Sequence, residues 1–329
     1  PKPSSAASDV YKRQVLIIPQ IVIGQKNGKS WITWIGEQSQ PDISQLKNAA
    51  ISGEITWDAG SISEDKWRNQ VAAAIAAIKS DQLEKVVLAR DLSAHSTTEI
   101  DARQLIKKLE IEYPSTWLFL VDGLVGATPE LLVRLNKSLV TSRVLAGTIR
   151  KTGDEDRDLA LAASLAKSSK DLEEHEYAVR SVADALAPFC TSTNVPESPF
   201  VLHLSNVMHL ATDVTGVLND SAKPTDIFTL ISELHPSAAV CGTPTEKAKT
   251  LIGELEEMNR GRYAGPVGWI DVHGDGEIAI ALRCGLLSDN NKSIQIFAGC
   301  GIVAGSDPEK EFAESQAKLM PMRTALETL

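Results

Sequence analysis

Two charged residues stand at the head of apolar stretches where a bare charge is out of place. They are Lys85 in Glu84-Lys85-Val86-Val87-Leu88-Ala89-Arg90 and Glu130 in Gly126-Ala127-Thr128-Pro129-Glu130-Leu131-Leu132-Val133. Three apolar residues follow each, so each marks the mouth of a buried strand or turn. Apolar surroundings disfavour the charged form, drawing a lysine pKa down and a carboxyl pKa up. A neutral amine base and a protonated acid near neutral pH would move protons at two ends of one substrate. The competing reading is a pair of ordinary solvated strand-end charges.

Further charges sit on helix starts. Ser168-Ser169-Lys170-Asp171-Leu172-Glu173-Glu174-His175-Glu176 opens a helix, with Ser169 as expected N-cap and acids in the turns the helix dipole favours. Ser306-Asp307-Pro308-Glu309 reads as a capping box for a final helix on which Glu311, Glu314 and Lys318 share one face. Carboxylates from two such helices, meeting across a cleft, would suit a hard divalent cation such as Mg2+. Each group alone also reads as a solvated acidic face. Arg283 interrupts an alternating strand beside Ile280, Ala281 and Leu282, a place where arginine usually answers a carboxylate of protein or ligand. The glycine-rich segments 259–268 and 297–303 match neither a Walker A loop nor a dinucleotide fingerprint; their backbone serves an anion or a tight turn.

The elements that must position these groups follow from periodicity. Val15-Leu16-Ile17-Ile18 and Trp31-Ile32-Thr33-Trp34-Ile35 read as strands split by an Asn27-Gly28 turn. Trp67, Val71, Ile75 and Ile78 define one face of a helix over 64–80 that feeds the Lys85 strand, and the helix-then-strand pattern repeats at 102–112 and 116–121. A strand meander covers Glu130 and 139–145, two helices occupy 155–168 and 169–187, and strands return at 200–204 and 209–214. Helices at 224–234 and 245–258 come next. Ile278, Ile280, Leu282 and Cys284 alternate as one antiparallel strand, partnered by 294–298 across the 288–291 turn. No repeat or linker is evident, which favours a single intertwined α+β domain.

Composition narrows the function. A chain of 329 residues with 43% apolar and 23% charged residues is globular, can bury a large core, and has no apolar run long enough to span a membrane. Its net charge of -10 disfavours nucleic acid and anionic membranes as main partners. Cys190, Cys241, Cys284 and Cys300 form no CxxC pair, which fits a reducing cytoplasm. Residues 1–14 carry no periodic pattern and resemble translated adapter sequence, so they are expected to be a non-native leader before a catalytic domain at 15–329 that lacks part of its native N-terminus.

Taken in order, Lys85-Val-Val-Leu-Ala-Arg90, Gly126-Ala-Thr-Pro-Glu130, Leu145-Ala-Gly-Thr148, Ser169-Lys-Asp-Leu-Glu-Glu-His175, Leu234-His-Pro236, Arg260-Gly-Arg-Tyr-Ala-Gly-Pro-Val-Gly268, Gly299-Cys-Gly-Ile302 and the terminal Glu311, Glu314 and Lys318 resemble the chorismate-utilising enzymes. These include isochorismate, salicylate, anthranilate and aminodeoxychorismate synthases. The resemblance runs from about Lys85 to Leu329 and implies an α+β fold, a large antiparallel β-sandwich with flanking helices. It implies Lys85 as the base that activates water for attack at C2 of chorismate, and Glu130 as the acid that protonates the departing C4 hydroxyl. It implies Glu174, Glu314 and, through the metal's water shell, Glu311 as the Mg2+ site. Arg283 and Tyr263 would bind the enolpyruvyl carboxylate, with Ala146, Gly147, Thr148, His209, Ala239, Gly299, Gly301 and Lys318 lining the same cavity.

Within the family, ammonia-using members usually carry glutamine where this chain has Lys85. Aminodeoxychorismate synthases commonly carry lysine at Ala146, and salicylate synthases favour threonine at Ala239. The resemblance therefore implies an isochorismate synthase, cytoplasmic and monomeric or weakly dimeric, serving menaquinone or siderophore formation. A salicylate synthase and a truncated, non-catalytic chorismate-binding homologue are the alternatives.

Overall fold

The structure, a computed structural model, describes residues 15–26, 28–35, 53–219 and 225–328. The expected leader, the polar connection after Ile35 and Asn27 of the first turn lie outside them. Strands β1 (Ile21–Lys26) and β2 (Lys29–Trp34) pair only with each other among the described residues. Val15–Ile18, expected as a strand, is not one: among the described residues it meets no partner, and a lone strand has no ladder to hold it.

Among the described residues, the remaining strands form two antiparallel seven-stranded sheets. One runs β10 (Phe200–His203), β11 (Val207–Leu218), β8 (Leu139–Arg150), β7 (Leu131–Asn136), β14 (Gly276–Ile280) and β13 (Pro266–Ile270), with β9 (Cys190–Asn194) also on β11. The other runs β12 (Gly242–Thr243), β4 (Lys85–Ser96), β16 (Ser293–Ile302), β15 (Cys284–Leu287), β6 (Leu124–Thr128) and β5 (Trp117–Val121), with β3 (Ile55–Ala59) also on β4. Ala89, Leu124 and Phe297 of the second sheet share a core with Val133, Val140, Val214 and Ile278 of the first. The fold is α+β, two antiparallel sheets flanked by helices.

Helices α1 (Glu64–Lys79), α2 (Ala102–Glu112), α6 (Thr245–Leu255) and α7 (Pro308–Glu327) cover the second sheet. Helices α3 (Glu155–Leu165), α4 (Ser169–Leu186) and α5 (Ile227–Leu234) cover the first. The apolar stripe of α1 is buried as its spacing requires, with Trp67 fully enclosed. No helix among the described residues is long and apolar enough to cross a membrane.

Three local expectations are corrected. Ser168, not Ser169, caps α4 by accepting from the Asp171 N–H, because the helix begins at Ser169. Asp307, not Ser306, caps α7, since its carboxylate accepts from both Glu309 and Lys310 and leaves Pro308 at the first helical position, where a missing N–H costs nothing. The run 276–287 is two strands rather than one. After Ile280 the chain leaves the first sheet, passes through Ala281 to Arg283, and joins the second at Cys284. Arg283 makes the corner at φ +48, a left-handed conformation uncommon outside glycine. The neighbouring strand changes sheets beside it: Gly126 pairs with Cys284 in one sheet and Leu131 with Ala279 in the other, so Pro129 and Glu130 form a second crossover.

Candidate active site

A cleft of about 560 Å³, including space open to solvent, lies where these crossovers meet β4, β8, β11 and β16. Of the residues implicated by sequence, Glu130, Ala146, Gly147, Thr148, Glu174, His209, Ala239, Tyr263, Arg283, Gly299, Gly301 and Lys318 line it. Lys85, Glu311 and Glu314 stand behind this wall.

Lys85 is completely buried at the head of β4. Its Nζ lies 3.6 Å from Glu174 Oε1 and donates to the Glu174 carbonyl at 3.3 Å. It reaches this partner past Gly301, where a Cβ would fall 2.0 Å from Glu174 Oε1 and 3.1 Å from Lys85 Cε. Burial drives the Lys85 amine below its ordinary pKa, against the pull of Glu174 and Glu130. Glu130 is likewise buried, its backbone held by Ile280 N–H donating to the Glu130 carbonyl at 3.1 Å. Burial pushes its carboxyl up to about 7, although Lys85 and Arg283 oppose the shift. Base and acid candidates are thus both biased toward their neutral forms by desolvation.

Glu311 and Glu314 bring carboxylate oxygens within 4.8 Å of each other, and Glu174 lies near enough for the Glu314 charge to act on it. Glu314 pairs with Lys318 at 2.5 Å, and Lys318 also donates to the Gly299 carbonyl at 2.9 Å. Glu311 Oε1 accepts from Lys170 at 2.7 Å. Its Oε2 is buried and meets no hydrogen-bond partner. Burial and the neighbouring Glu314 charge raise the Glu311 carboxyl to about 7, while burial, opposed by Lys85, raises Glu174. Burial pushes Glu314 the same way, but Lys318 and Lys170 outweigh it and hold its pKa below the ordinary value. Crowded carboxylates with one oxygen unpartnered are a donor set suited to a hard divalent cation. The Cys300 thiol lies near Glu311 and Glu314 but donates to the Glu311 carbonyl at 3.3 Å, and burial keeps it protonated.

The opposite wall is set by a bulge. Between His209 and Leu210 the β8 to β11 register shifts, leaving Gly147 unpaired at φ +74, and a Cβ there would come 3.0 Å from Asp171. The bulge turns Thr148 toward His209, whose Nδ1 lies 3.0 Å from Thr148 Oγ1. Arg283, expected to answer a carboxylate of protein or ligand, lies with Nη2 3.0 Å from His209 Nε2. Tyr263 stacks on Phe297 with ring centroids 5.1 Å apart.

Three supporting residues escape the sequence reading. Lys170 looks like any solvated lysine in a helix start, yet it neutralises Glu311. His175, beside Glu174, is buried with Nε2 2.8 Å from Thr212 Oγ1, and burial lowers its pKa to about 4. Arg260 lines the cleft and forms a two-pronged pair with buried Glu256 while donating to the carbonyls of Val87 and Val240. Only its place in the 260–268 motif marked it. Glu256→Ala would strand a buried guanidinium and orphan the Ala89 N–H that Glu256 Oε1 accepts, so a loss of about 3 kcal/mol is expected in chemical denaturation.

A model of the family described as chorismate binding enzyme matches residues 2–327. The chain belongs to the chorismate-binding enzyme family. It is 37% identical over 290 residues to isochorismate synthase MenF of Bacillus subtilis strain 168, covering 87% of this chain and 59% of that protein. It is 36% identical over 276 residues to the salicylate biosynthesis isochorismate synthase of Pseudomonas aeruginosa PAO1, covering 83% of this chain and 57% of that protein. The chain therefore spans less than two thirds of these relatives' length. Among solved structures, the putative 2,3-dihydroxybenzoate-specific isochorismate synthase DhbC of Bacillus anthracis superposes with a TM-score of 0.78 at 34% identity, over 91% of this chain and 78% of that one.

Proposed function

We propose that this family member is an isochorismate synthase that converts chorismate to isochorismate by adding water at C2 and expelling the C4 hydroxyl. The observation that carries the reading is the buried pair Lys85 and Glu130, an amine and a carboxyl that both tend to neutrality, Glu130 on the cleft wall and Lys85 behind it. The names of the relatives at 36–37% identity point the same way.

Neutral Lys85 takes a proton from water as its oxygen bonds to C2; both ring double bonds shift by one position as the C4–O bond breaks, and Glu130 gives its proton to the departing hydroxyl. One water enters and one leaves, so the step is an isomerisation. Arg283 and Tyr263 offer donors to a carboxylate, and Lys318, paired with Glu314, offsets part of the acidic charge beside the cleft. Glu174, Glu311 and Glu314 would hold Mg2+, which when bound supplies the positive charge that a ring carboxylate needs among acids. Ala239 on the cleft wall offers no hydroxyl, in keeping with isochorismate as the released product.

Product analysis of the purified chain with chorismate and Mg2+ tests the reading. Isochorismate is expected with or without ammonia, with little pyruvate; prompt stoichiometric pyruvate would establish a salicylate synthase, and no product at all would leave a binding protein. Gly301→Ala is expected to cost about 100-fold in turnover, because its methyl displaces Glu174 and Lys85 together. Unchanged kinetics in that variant would remove the pair from the mechanism.

A further inference from the structure

His209 is buried beside the cleft with both ring nitrogens engaged, Nε2 by Arg283 Nη2 and Nδ1 by Thr148 Oγ1, each at 3.0 Å. A guanidinium offers only hydrogens, so Nε2 must present a lone pair to Arg283. A neutral imidazole has one N–H, which therefore sits on Nδ1. Burial and the Arg283 charge keep the ring neutral, and the Gly147 carbonyl beside Nδ1 is an acceptor suited to that N–H. Once Nδ1 carries hydrogen it has no lone pair, so Thr148 cannot donate to it, whether that hydrogen turns to the Gly147 carbonyl or to Thr148 Oγ1. The hydroxyl hydrogen of Thr148 is then left for the cleft that Thr148 lines.

We propose that Arg283 locks His209 as the Nδ1–H tautomer, and that His209 thereby makes the Thr148 hydroxyl a committed donor to an oxygen of the bound anion. His209 is a positioning residue: it touches the ligand's neighbours and sets the polarity of one wall. The donor half rests on the cleft being the chorismate site; the tautomer half does not. A hydroxyl free to rotate serves donors and acceptors alike, whereas a committed donor discriminates against a ligand that presents a donor there.

Long-range proton–nitrogen NMR of the full chain, with the His209 ring identified by the signals lost in His209→Gln, tests the lock. The Nδ1–H pattern is expected in the native chain, and the Nε2–H form should appear in Arg283→Met. An Nε2–H ring in the native chain, or an unchanged pattern in Arg283→Met, overturns it. Calorimetric titration with chorismate in the presence of Mg2+ tests the donor. Thr148→Val is expected to weaken binding about tenfold, with affinity recovered in Thr148→Ser. His209→Phe should weaken it similarly, and the double variant no further, because the two residues act in series. Additive losses would overturn the relay. If the native chain fails to bind chorismate, the donor half falls with the substrate reading, and the NMR pattern still decides the lock.

Discussion

Lys85→Ala is expected to lower kcat with chorismate by about 100- to 10,000-fold while leaving Mg2+-assisted binding of chorismate in place. In the proposed mechanism the residue serves as the base, and its completely buried amine reaches Glu174 without being among the cleft-lining residues. Removing it also leaves Glu174 without its lysine, so loss of activity has to be separated from loss of structure. Lys85→Arg makes that separation. Arginine can keep the ion pair but does not release a proton in the working range, so it is expected to be as inactive as alanine with a melting temperature closer to the native one. Turnover within tenfold of native in either variant would remove Lys85 as the base.

Glu130→Gln is expected to lower kcat by a similar factor, about 100- to 10,000-fold, and to change the pH profile as well. The acid works only while protonated. With its carboxyl raised to about 7, native activity should fall as pH rises through that value. Lys85 must be deprotonated, so activity should also fall toward acid, with a limb below the ordinary lysine range because burial lowers its pKa. The residual rate of Glu130→Gln should lose the alkaline limb and keep the acidic one. Stability gives an independent readout. The folded pKa exceeds the unfolded value of 4.5, so the contribution of Glu130 to stability is fully present below 4.5 and is lost as pH rises through about 7. The margin of glutamine over glutamate should therefore grow by roughly 3 kcal/mol between those values and stay flat above. A margin independent of pH would show that Glu130 ionises normally.

The burial of the candidate site's charges was largely legible in the sequence because it depends on a charge placed against apolar neighbours. Lys85 and Glu130 announced themselves in this way, and both are buried. The helix start bearing Glu174 was legible from its capping serine and acids, and the face bearing Glu314 from the spacing of Glu311, Glu314 and Lys318. What remained hidden depended on long-range contacts. Arg283 drew attention as a charge in an alternating strand, but alternation reports which side of a pleat a residue occupies, not which sheet owns the strand. The transfer from Ile280 to Cys284 was therefore read straight through. Lys170 was invisible for a similar reason: its partner Glu311 lies 141 residues away on another helix. The exchange of Ser169 for Ser168 and of Ser306 for Asp307 as caps reflects runs with two adjacent capping side chains, where tertiary fit chooses between them.

Glu130 and Arg283 occupy the joints where two paired strands pass from one sheet to the other, and this bears on how such a scaffold diversifies. Neither group hangs from a surface loop, so lengthening or exchanging loops, the route open to barrel enzymes whose chemistry sits on loop ends, would leave both in place. New reactions on this frame must come from replacing single side chains around a fixed cavity. Conversely, a change in core volume between the sheets, at Val133 or Ile278 for instance, shifts the stacking and so moves acid and guanidinium relative to Lys85. Buried apolar positions that do not line the cleft thereby become adjustable screws for the proposed catalysis, and a library restricted to them should yield variants whose rates change without a change in any cleft-lining residue.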